Sequence, residues 1–570
     1  MVRAPTATAV WWTASLAVFA AWWWLVLRRG LRALRRPARA RNLAKPGQVA
    51  GLLSARAARK TGSFTRPDLV TTASRSRPRD LNEYGYRLGT MTDSDLELVA
   101  NFELRVRVIA RTGWGKTSRL LVPIVRGLPG AALVGSTRPD LFEQTVCTRD
   151  DYSPTAPRRR VMVVDFSEAA HRIAAGYERV VWDPIAGCED LTVADRRAAA
   201  LAAGVHDGDR EDANDAFWRH SSSQVISAWL HAAALAGLPM ASVLSWQDHI
   251  HSTEPHDILS THPAAEGRAY TALAKHLDER AARTTSGVER FIALTLAPLG
   301  TADGQEFVGD RNRSLDIAEA IADQATIYLL ASDRTARAVA PILTLFAEEW
   351  FATCRSLALR LPGSRLGPPA VAVLDELRWL APIPSLPSVA SEFRSYGVGL
   401  VYALQNARQE TELYGAAAET LAQDVQVTIV GGHDTSLARD ITDQAGRGYV
   451  ARVTLSSSSL SRGTQLSEGE ELTETITAAD LQQLRDGESV IRVTGLPLFL
   501  AYSASFRDSR RLARQVGAEE AAVRGRVAAG RQQVAIDREQ RRREAQAEYN
   551  TIVANRRKAS LGESGEGRQR

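Results

Sequence analysis

A Gly-Lys-Thr triplet is the part of the sequence with the clearest potential for chemistry. Lys116 stands between Gly115 and Thr117, and a further glycine precedes this triplet. Glycines allow a loop to turn its backbone N–H groups inward around a phosphate chain. A lysine there neutralises the β- and γ-phosphates, and a threonine hydroxyl is a ligand of Mg²⁺. The pattern predicts a site for ATP and Mg²⁺ formed by Arg111, Thr112, Gly113, Trp114, Gly115, Lys116, Thr117 and Ser118.

The residues on either side supply the context that a phosphate-binding loop requires. Residues 104–109 alternate and then become apolar, as in a strand, and residues 118–126 place apolar side chains on one helical face. A strand, a glycine-containing turn and a helix in this order form a P-loop. Ala110 stands where the first glycine is usual. Whether this alanine is tolerated or weakens nucleotide binding stays open, as does the alternative of a chance turn.

A second group of chemically competent residues lies far downstream. Residues 370–374 form an apolar run typical of a buried strand, and this run ends in Asp375 and Glu376. In a nucleotide site the aspartate joins Thr117 as a ligand of Mg²⁺, and the glutamate orients the attacking water. Residues 397–404 predict another strand, at the end of which Gln405 is a candidate sensor of the γ-phosphate. An acidic turn without a catalytic role is the alternative.

Short apolar runs separated by segments of helical length must position these residues. The runs that predict further strands are 131–135, 161–165, 179–184, 326–330 and 425–432. This alternation is typical of an α/β fold with a parallel sheet, whose ligands bind at the carboxyl ends of the strands. Polar residues at such ends include Ser136, Thr137, Asp140 and Asp183.

The strand signal disappears between residues 191 and 319, where helical spacing predicts an inserted all-helical domain. Four of its histidines favour a solvated loop over a metal site: His249, His251, His256 and His262. With 570 residues and a net charge of +6, the chain has room for several domains and is not a polycation. Its three scattered cysteines argue against a disulfide framework and suit a reducing cytoplasm.

The N-terminus has the composition of a membrane anchor. Residues 4–27 carry no charge, have tryptophans near both ends and precede an arginine-rich segment. This pattern predicts one transmembrane helix in the plasma (inner) membrane, with the bulk of the chain in the cytoplasm. A cleaved signal peptide is the alternative. A polar loop is predicted from residue 456 to about residue 473.

These patterns divide the chain into consecutive segments. The predicted segments are a transmembrane anchor (1–30), a basic linker (31–80), a first nucleotide-binding part with the P-loop (81–190), the inserted helical domain (191–319), a second nucleotide-binding part with the Asp-Glu strand (320–508) and a charged helical or disordered tail (509–570).

Taken in order, these segments resemble the TraG/TraD family of type IV coupling proteins, in particular its actinobacterial branch. The proteins of this family are relatives of FtsK-type DNA translocases. The resemblance spans residues 99–506 and depends on the P-loop, the Asp375 and Gln405 strands, and the segments 136–141, 181–184, 217–218, 230–234, 429–432 and 479–488. It implies a RecA-like P-loop fold and ATP hydrolysis coupled to DNA transfer in conjugation.

The resemblance also implies partners and one further site residue. The implied partners are DNA bound without sequence specificity, the relaxase and its relaxosome, components of the type IV secretion channel, the membrane, and further copies of the chain in a homo-hexamer. A trans-acting arginine is implied shortly after the Asp-Glu strand, where Arg394 stands; a surface arginine is the alternative. Many family members have two spans, whereas one is predicted here. A protein-exporting motor and a non-hydrolysing nucleotide-bound membrane adaptor remain rival functions.

Overall fold

A mixed sheet of eleven strands forms the centre of the molecule. The computed structural model describes residues 42–71, 80–150, 159–205, 213–276, 282–380, 382–432, 435–457 and 464–566. In chain order the strands of the described residues are β1 (Gly85–Met91), β2 (Glu97–Asn101), β3 (Val106–Ala110), β4 (Ala132–Ser136), β5 (Val161–Asp165), β6 (Thr326–Leu330), β7 (Ala370–Leu374), β8 (Val398–Leu404), β9 (Val427–Gly431), β10 (Arg447–Ser457), β11 (Thr464–Glu474), β12 (Glu488–Val493) and β13 (Phe499–Tyr502). All belong to the eleven-stranded sheet except β10 and β11, which form a separate two-stranded sheet.

The central part of this sheet is parallel. The strand order is β2-β1-β13-β12-β9-β3-β8-β7-β4-β6-β5, and every pairing from β9 to β5 is parallel. Each strand of this part is buried along its whole length, as expected when helices cover both faces. The predicted α/β fold with a parallel sheet is confirmed. An antiparallel extension of β12, β13, β1 and β2 adds to it.

Helices cover both faces of the sheet. In chain order they are α1 (Pro46–Ala50), α2 (Ala55–Thr65), α3 (Asp68–Thr71), α4 (Val122–Gly127), α5 (Pro139–Glu143), α6 (Val146–Asp150), α7 (Leu191–Ala203), α8 (Ala213–Leu235), α9 (Met240–Asp248), α10 (Glu254–Thr261), α11 (Gly267–His276), α12 (Ala282–Gly300), α13 (Ala302–Val308), α14 (Ile317–Ala322), α15 (Ala336–Arg360), α16 (Leu377–Leu380), α17 (Leu386–Tyr396), α18 (Arg408–Tyr414), α19 (Ala417–Asp424), α20 (Thr435–Ala445), α21 (Ala478–Gln482) and α22 (Arg510–Glu566).

The segment predicted as an inserted helical domain contains helices α7 to α14. Ile226 and Trp229 of α8 are buried in the same hydrophobic cluster as Ile327 and Leu329 of β6. Because one continuous core joins these helices to one face of the sheet, they pack as part of the body that carries the strands.

The predicted strand at 179–184 is wrong. Among the residues that the structure describes, Arg179 makes a single parallel bridge, with Val163 of β5. Trp182 then leaves the sheet edge and packs edge-on against Phe346 of α15. The apolar residues in this segment therefore reflect burial in the core and not strand pairing.

The prediction of a single-pass protein in the plasma membrane is corrected. In the part of the chain that the structure describes, no helix combines the length and the apolar character needed to cross a membrane. Residues 4–27, on which that prediction depended, lie outside the described residues.

The prediction of a basic linker up to residue 80 is also corrected, because residues 46–71 contain α1 to α3. Val49 and Leu53 are fully buried, and Ala58 of α2 is buried together with Val99 of β2. Few apolar residues separated by basic ones give no sustained periodicity, although those few are enough to attach short helices to the sheet.

Two predictions about the C-terminal region also change. Residues 447–457 and 464–474 pair as an antiparallel ribbon of β10 and β11 instead of the polar loop predicted from residue 456. The tail is helical from 510 to 566, and its first part is not simply solvated. Val516, Val523 and Val527 are buried, and Arg126 of α4 forms an ion pair with Glu519 at 2.5 Å.

Candidate nucleotide site

The P-loop connects β3 to a π-helical turn, Thr117–Leu121, which continues into α4. Gly113 has φ +88° and Gly115 has φ +94°, a region that other residues rarely adopt, so both positions require glycine. Between them the chain reverses and turns Trp114 inward, while Thr112 stays exposed. The Ser118 hydroxyl lies 3.4 Å from the carbonyl oxygen of Gly115.

Trp114 fixes the P-loop to the C-terminal part of the chain. Its ring is fully buried, and its Nε1–H donates to the carbonyl oxygen of Glu488 on β12 at 2.8 Å. Gly431 of β9 lies directly against the ring, since a Cβ there would come within 2.5 Å of a ring atom. Arg119 donates to the carbonyl oxygens of Trp114 and Ser503 at 3.1 and 2.9 Å. The loop is therefore held by the buried ring of Trp114 and by the hydrogen bonds of Arg119.

Ala110 fits its position without strain. It is the last residue of β3, it is fully buried, and it pairs with Gly431 of β9. The described residues with positive φ other than glycine do not include it. Its carbonyl oxygen accepts a 2.8 Å hydrogen bond from Lys116 Nζ. Alanine therefore replaces the usual first glycine without backbone strain, because this position has an ordinary strand conformation.

Lys116 is partly buried beside two carboxylates. Burial lowers the pKa of its ammonium group, while the charges of Asp375 and Glu376 act to raise it. Arg138, which is exposed after β4, adds a further lowering effect on the Lys116 pKa. Lys116 and Arg138 therefore bring two positive charges to this edge of the sheet, beside the carboxylates of Asp375 and Glu376.

Asp375 lies opposite Thr117, and the two side chains are 3.5 Å apart between Oδ2 and the hydroxyl. Burial raises the pKa of Asp375 to about 6; Lys116 lowers this pKa and Glu376 raises it. The Oδ1 atom of Asp375 is buried and has no hydrogen-bond partner in the part of the chain that the structure describes. A buried carboxylate oxygen without a partner is costly, and hard oxygen donors suit Mg²⁺. The Thr117 hydroxyl and the Asp375 carboxylate are therefore suitable ligands for Mg²⁺.

Glu376 is held in an unusual conformation beside this pair. Its backbone φ is +58°, in the left-handed region that glutamate rarely occupies. Its Oε1 accepts a 3.0 Å hydrogen bond from Nε2 of Gln405. Its Oε2 accepts a 3.0 Å hydrogen bond from the Thr137 hydroxyl. Strained backbone of this kind persists only where its surroundings determine it, which is common at functional sites.

The strand order explains how these distant segments meet. β3, β8, β7 and β4 are consecutive neighbours, and the P-loop, Gln405, Asp375 and Thr137 follow their respective carboxyl ends. Ligands bind at this edge of parallel sheets. The structure thus brings together the predicted P-loop, Asp375, Glu376 and Gln405. Gln405 contacts Glu376 directly, a role that the sequence did not indicate.

Arg394 lies elsewhere in the chain. It belongs to α17, which precedes β8, so it lies towards the amino end of that strand and the P-loop lies at the opposite edge. Its side chain is 62% exposed, and its Nε is 3.4 Å from Oε2 of Glu103. Within one chain Arg394 does not join the site. A role towards a neighbouring copy stays a prediction.

Sequence reasoning missed Thr137 as a partner of Glu376, although its place directly after β4 was a signal. Two other residues of the segments singled out in the sequence, Asp183 and His231, have structural roles. Asp183 accepts from the backbone N–H of Ile185 and from Arg311. His231 is fully buried and contacts the carbonyl oxygen of Cys188 at 2.8 Å. These residues of the resembling segments hold the helices together.

Comparison with known proteins gives one match to a family model. Residues 369–486 match the family described as "TraM recognition site of TraD and TraG". The matched range includes β7 with Asp375 and Glu376 and extends through α21. The resemblance to the TraG/TraD family is confirmed by this match. Comparison with curated protein sequences gives no match.

Solved structures show the same fold over most of the chain. The unbound bacterial conjugative coupling protein TrwB is 15% identical, with 78% of this chain and 91% of that chain covered and a TM-score of 0.51. TrwB in complex with ADP and Mg²⁺ is 14% identical, with 80% and 93% covered and a TM-score of 0.51. TrwB with a non-hydrolysable ATP analogue is 15% identical, with 78% and 92% covered and a TM-score of 0.50. The chain therefore shares the fold of these TrwB structures.

Proposed function

We propose that this chain is a coupling ATPase, which hydrolyses ATP to drive the transfer of DNA and its relaxase through a type IV secretion system. One observation carries the proposal. The carboxyl edge of three adjacent strands, β3, β8 and β7, assembles Lys116, Thr117, Asp375, Glu376 and Gln405 in the arrangement that phosphoryl transfer needs. An acidic turn without a catalytic role does not explain why a buried oxygen of Asp375 has no hydrogen-bond partner among the described residues.

Each residue has a distinct role in the proposed reaction. Backbone N–H groups of the P-loop and the Lys116 ammonium bind the β- and γ-phosphates. When bound by the Thr117 hydroxyl and Asp375, Mg²⁺ supplies positive charge that neutralises the phosphate oxygens. The Glu376 carboxylate accepts the proton of a water molecule and so activates it. The Gln405 amide holds that carboxylate in place and remains the candidate sensor of the γ-phosphate.

The bonds that change are those of ATP hydrolysis. The water oxygen forms a bond to the γ-phosphorus while the bond between this phosphorus and the bridging oxygen of ADP breaks. The water proton passes to Glu376, and the products are ADP and inorganic phosphate. In a homo-hexamer, Arg394 of one copy faces the nucleotide of the next copy and stabilises the charge of the transition state.

The names of the matched family and of the similar structures support the proposed partners. The family model is described by recognition of TraM, and TrwB is described as a conjugative coupling protein. On this basis the proposed partners are a relaxosome, the secretion channel and DNA. Contacts to DNA would be to the phosphate backbone, so binding should fall steeply as the salt concentration rises.

Steady-state ATPase activity of the full chain, with and without DNA, tests the proposal. We expect DNA to raise the rate, and Glu376→Gln to lower kcat by about 100-fold or more while nucleotide still binds. The matched control is Glu419→Gln, an exposed glutamate of α19, which should leave the rate unchanged. Nucleotide binding without hydrolysis would instead indicate an adaptor. Hydrolysis that depends on Glu376 but ignores DNA would indicate a protein exporter.

A further inference from the structure

Thr137 contacts the proposed catalytic glutamate, although it belongs to neither of the two motifs that define the site. It directly follows β4, and it is 5% exposed. Its hydroxyl donates to Oε2 of Glu376 at 3.0 Å across a separation of 239 residues in the sequence. Thr137 is thus a buried hydroxyl whose hydrogen bond is directed at the reacting group.

The sheet itself sets the distance between these two residues. Gly135 of β4 pairs with Leu374 of β7, and the backbone N–H of Asp375 donates to the carbonyl oxygen of Gly135 at 2.9 Å. The two strands therefore end side by side; Thr137 is the first residue after β4, and Glu376 is the second residue after β7. A hydrogen bond fixed by strand pairing holds its partner more firmly than one made by a flexible loop.

The conformation of Glu376 creates the need for such support. At φ +58° its backbone is in a region that does not favour glutamate, so local preference does not secure the side chain. Gln405 restrains Oε1 and Thr137 restrains Oε2. Each carboxylate oxygen has two lone pairs, so one on each atom stays free for a water molecule. The two donors thus orient the carboxylate without blocking it.

We propose that Thr137 is a positioning residue for ATP hydrolysis, which acts by holding the Glu376 carboxylate towards the attacking water. This inference depends on the proposed function, because it assigns Thr137 a part in that same reaction. Ser136 offers a contrast within the same turn. Its hydroxyl accepts a hydrogen bond from the backbone N–H of Arg138 at 3.1 Å. This is an ordinary turn contact, which does not involve Glu376.

Three variants of the full chain test the inference by ATPase kinetics. Thr137→Val keeps the shape of the side chain and removes the donor, so we expect kcat to fall by about tenfold or more. KM for ATP should stay within about twofold, because Thr137 is not placed against the phosphates. Thr137→Ser keeps the hydroxyl and should retain kcat within about threefold, whereas Thr271→Val, at an exposed position of α11, should leave both constants unchanged.

A double variant separates positioning from a merely structural role. If Thr137 acts through Glu376, Thr137→Val should have little further effect on single-turnover hydrolysis in a Glu376→Gln background. An unchanged or raised kcat in Thr137→Val would overturn the inference, and so would equal losses in Thr137→Val and Thr137→Ser. If the wild-type chain itself lacks ATPase activity, the proposed function fails first. An active wild type with an equally active Thr137→Val variant contradicts only the inference about Thr137.

Discussion

In the P-loop the largest side chain, Trp114, is fully buried and hydrogen-bonded. At the end of β7, by contrast, a carboxylate oxygen of Asp375 is buried and finds no hydrogen-bond partner in the described part of the chain. The glycines of the loop take up backbone conformations that suit them, while Glu376 has a positive φ that suits it poorly. Both regions lie at the same edge of the sheet and serve the same proposed ligand.

The difference shows that the fold alone holds the P-loop in place, whereas the environment of Asp375 becomes favourable only when a cation binds. The P-loop side is anchored by burial, so it is already in place before nucleotide binds. The Asp375 side stores unfavourable electrostatic free energy, which a bound cation would relieve. Variants on the first side should therefore change stability most. Variants on the second side should change activity while leaving the fold as stable or more so.

The largest stability effect is expected for Trp114→Ala. Removing this buried ring should lower the free energy of unfolding by about 3–5 kcal/mol, because it leaves a cavity next to Gly431. Binding of a fluorescent ATP analogue should weaken as well, since the loop loses its anchor. Urea unfolding of the full chain followed by circular dichroism measures the first effect.

The matched control for Trp114 is Phe217→Ala. Phe217 is 52% exposed, so its truncation should change the free energy of unfolding by less than about 1 kcal/mol. Equal losses for the two variants would show that the P-loop is not anchored by this ring. The contrast between the two sides of the site would then fail.

Asp375→Asn should abolish hydrolysis and at the same time stabilise the chain in the absence of Mg²⁺. Burial raises the pKa of Asp375 to about 6 from an ordinary value of 3.8. The contribution of the protonated Asp375 carboxyl to the free energy of unfolding is therefore fully present below about pH 4 and is lost as the pH rises through about 6. At pH 8 the neutral asparagine should raise the free energy of unfolding by about 2–3 kcal/mol.

Unfolding at pH 5 and at pH 8 checks the sign of this effect. The advantage of Asp375→Asn should grow by about 1 kcal/mol between the two values. Asp443→Asn, at an exposed position of α20, serves as the control and should give no such trend. A loss of stability in Asp375→Asn at pH 8 would mean that the carboxylate is already compensated within the fold.

Gly431→Ala should destabilise the chain by about 1–3 kcal/mol, because the added methyl group would lie 2.5 Å from the Trp114 ring. In a Trp114→Ala background the same change should become nearly neutral, since the cavity accepts the methyl group. Thermal unfolding of the four chains of this cycle measures the coupling. Gly517→Ala is the control, because a Cβ there meets no atom of the described residues within 4 Å. Additive effects would contradict the proposed contact between β9 and the loop.

The parts of the site that the sequence predicted are those encoded by local patterns. The P-loop and the Asp375 strand each combine an apolar run with a characteristic turn, so both were found from neighbouring residues. The parallel sheet followed from several such runs. Local patterns failed at the edges: β1, β2, β12 and β13 form an antiparallel extension that the alternation of helices and strands did not indicate.

The contacts that the sequence could not reveal join residues far apart in the chain. Trp114 occupies a variable position of its motif, and its burial depends on Gly431 of β9 and Glu488 of β12. The bond from Thr137 to Glu376 depends on β4 and β7 being neighbours in the sheet. Strand order is a property of the whole fold, so a single sequence without that order leaves such pairs unassigned.

The smallest effect is expected for Arg111→Ala, which tests whether charge or burial anchors the P-loop. Arg111 forms an ion pair with Asp486 at 2.7 Å, and the two side chains are 39% and 52% exposed. Because an exposed pair is screened by solvent and salt, its loss should change the free energy of unfolding by less than about 1 kcal/mol. Urea unfolding at low and high salt concentration measures this change, which should become smaller still at high salt. A loss as large as that of Trp114→Ala would instead mean that electrostatic contacts to residues 486–503 hold the loop, and the anchored side of the site would then weaken with salt.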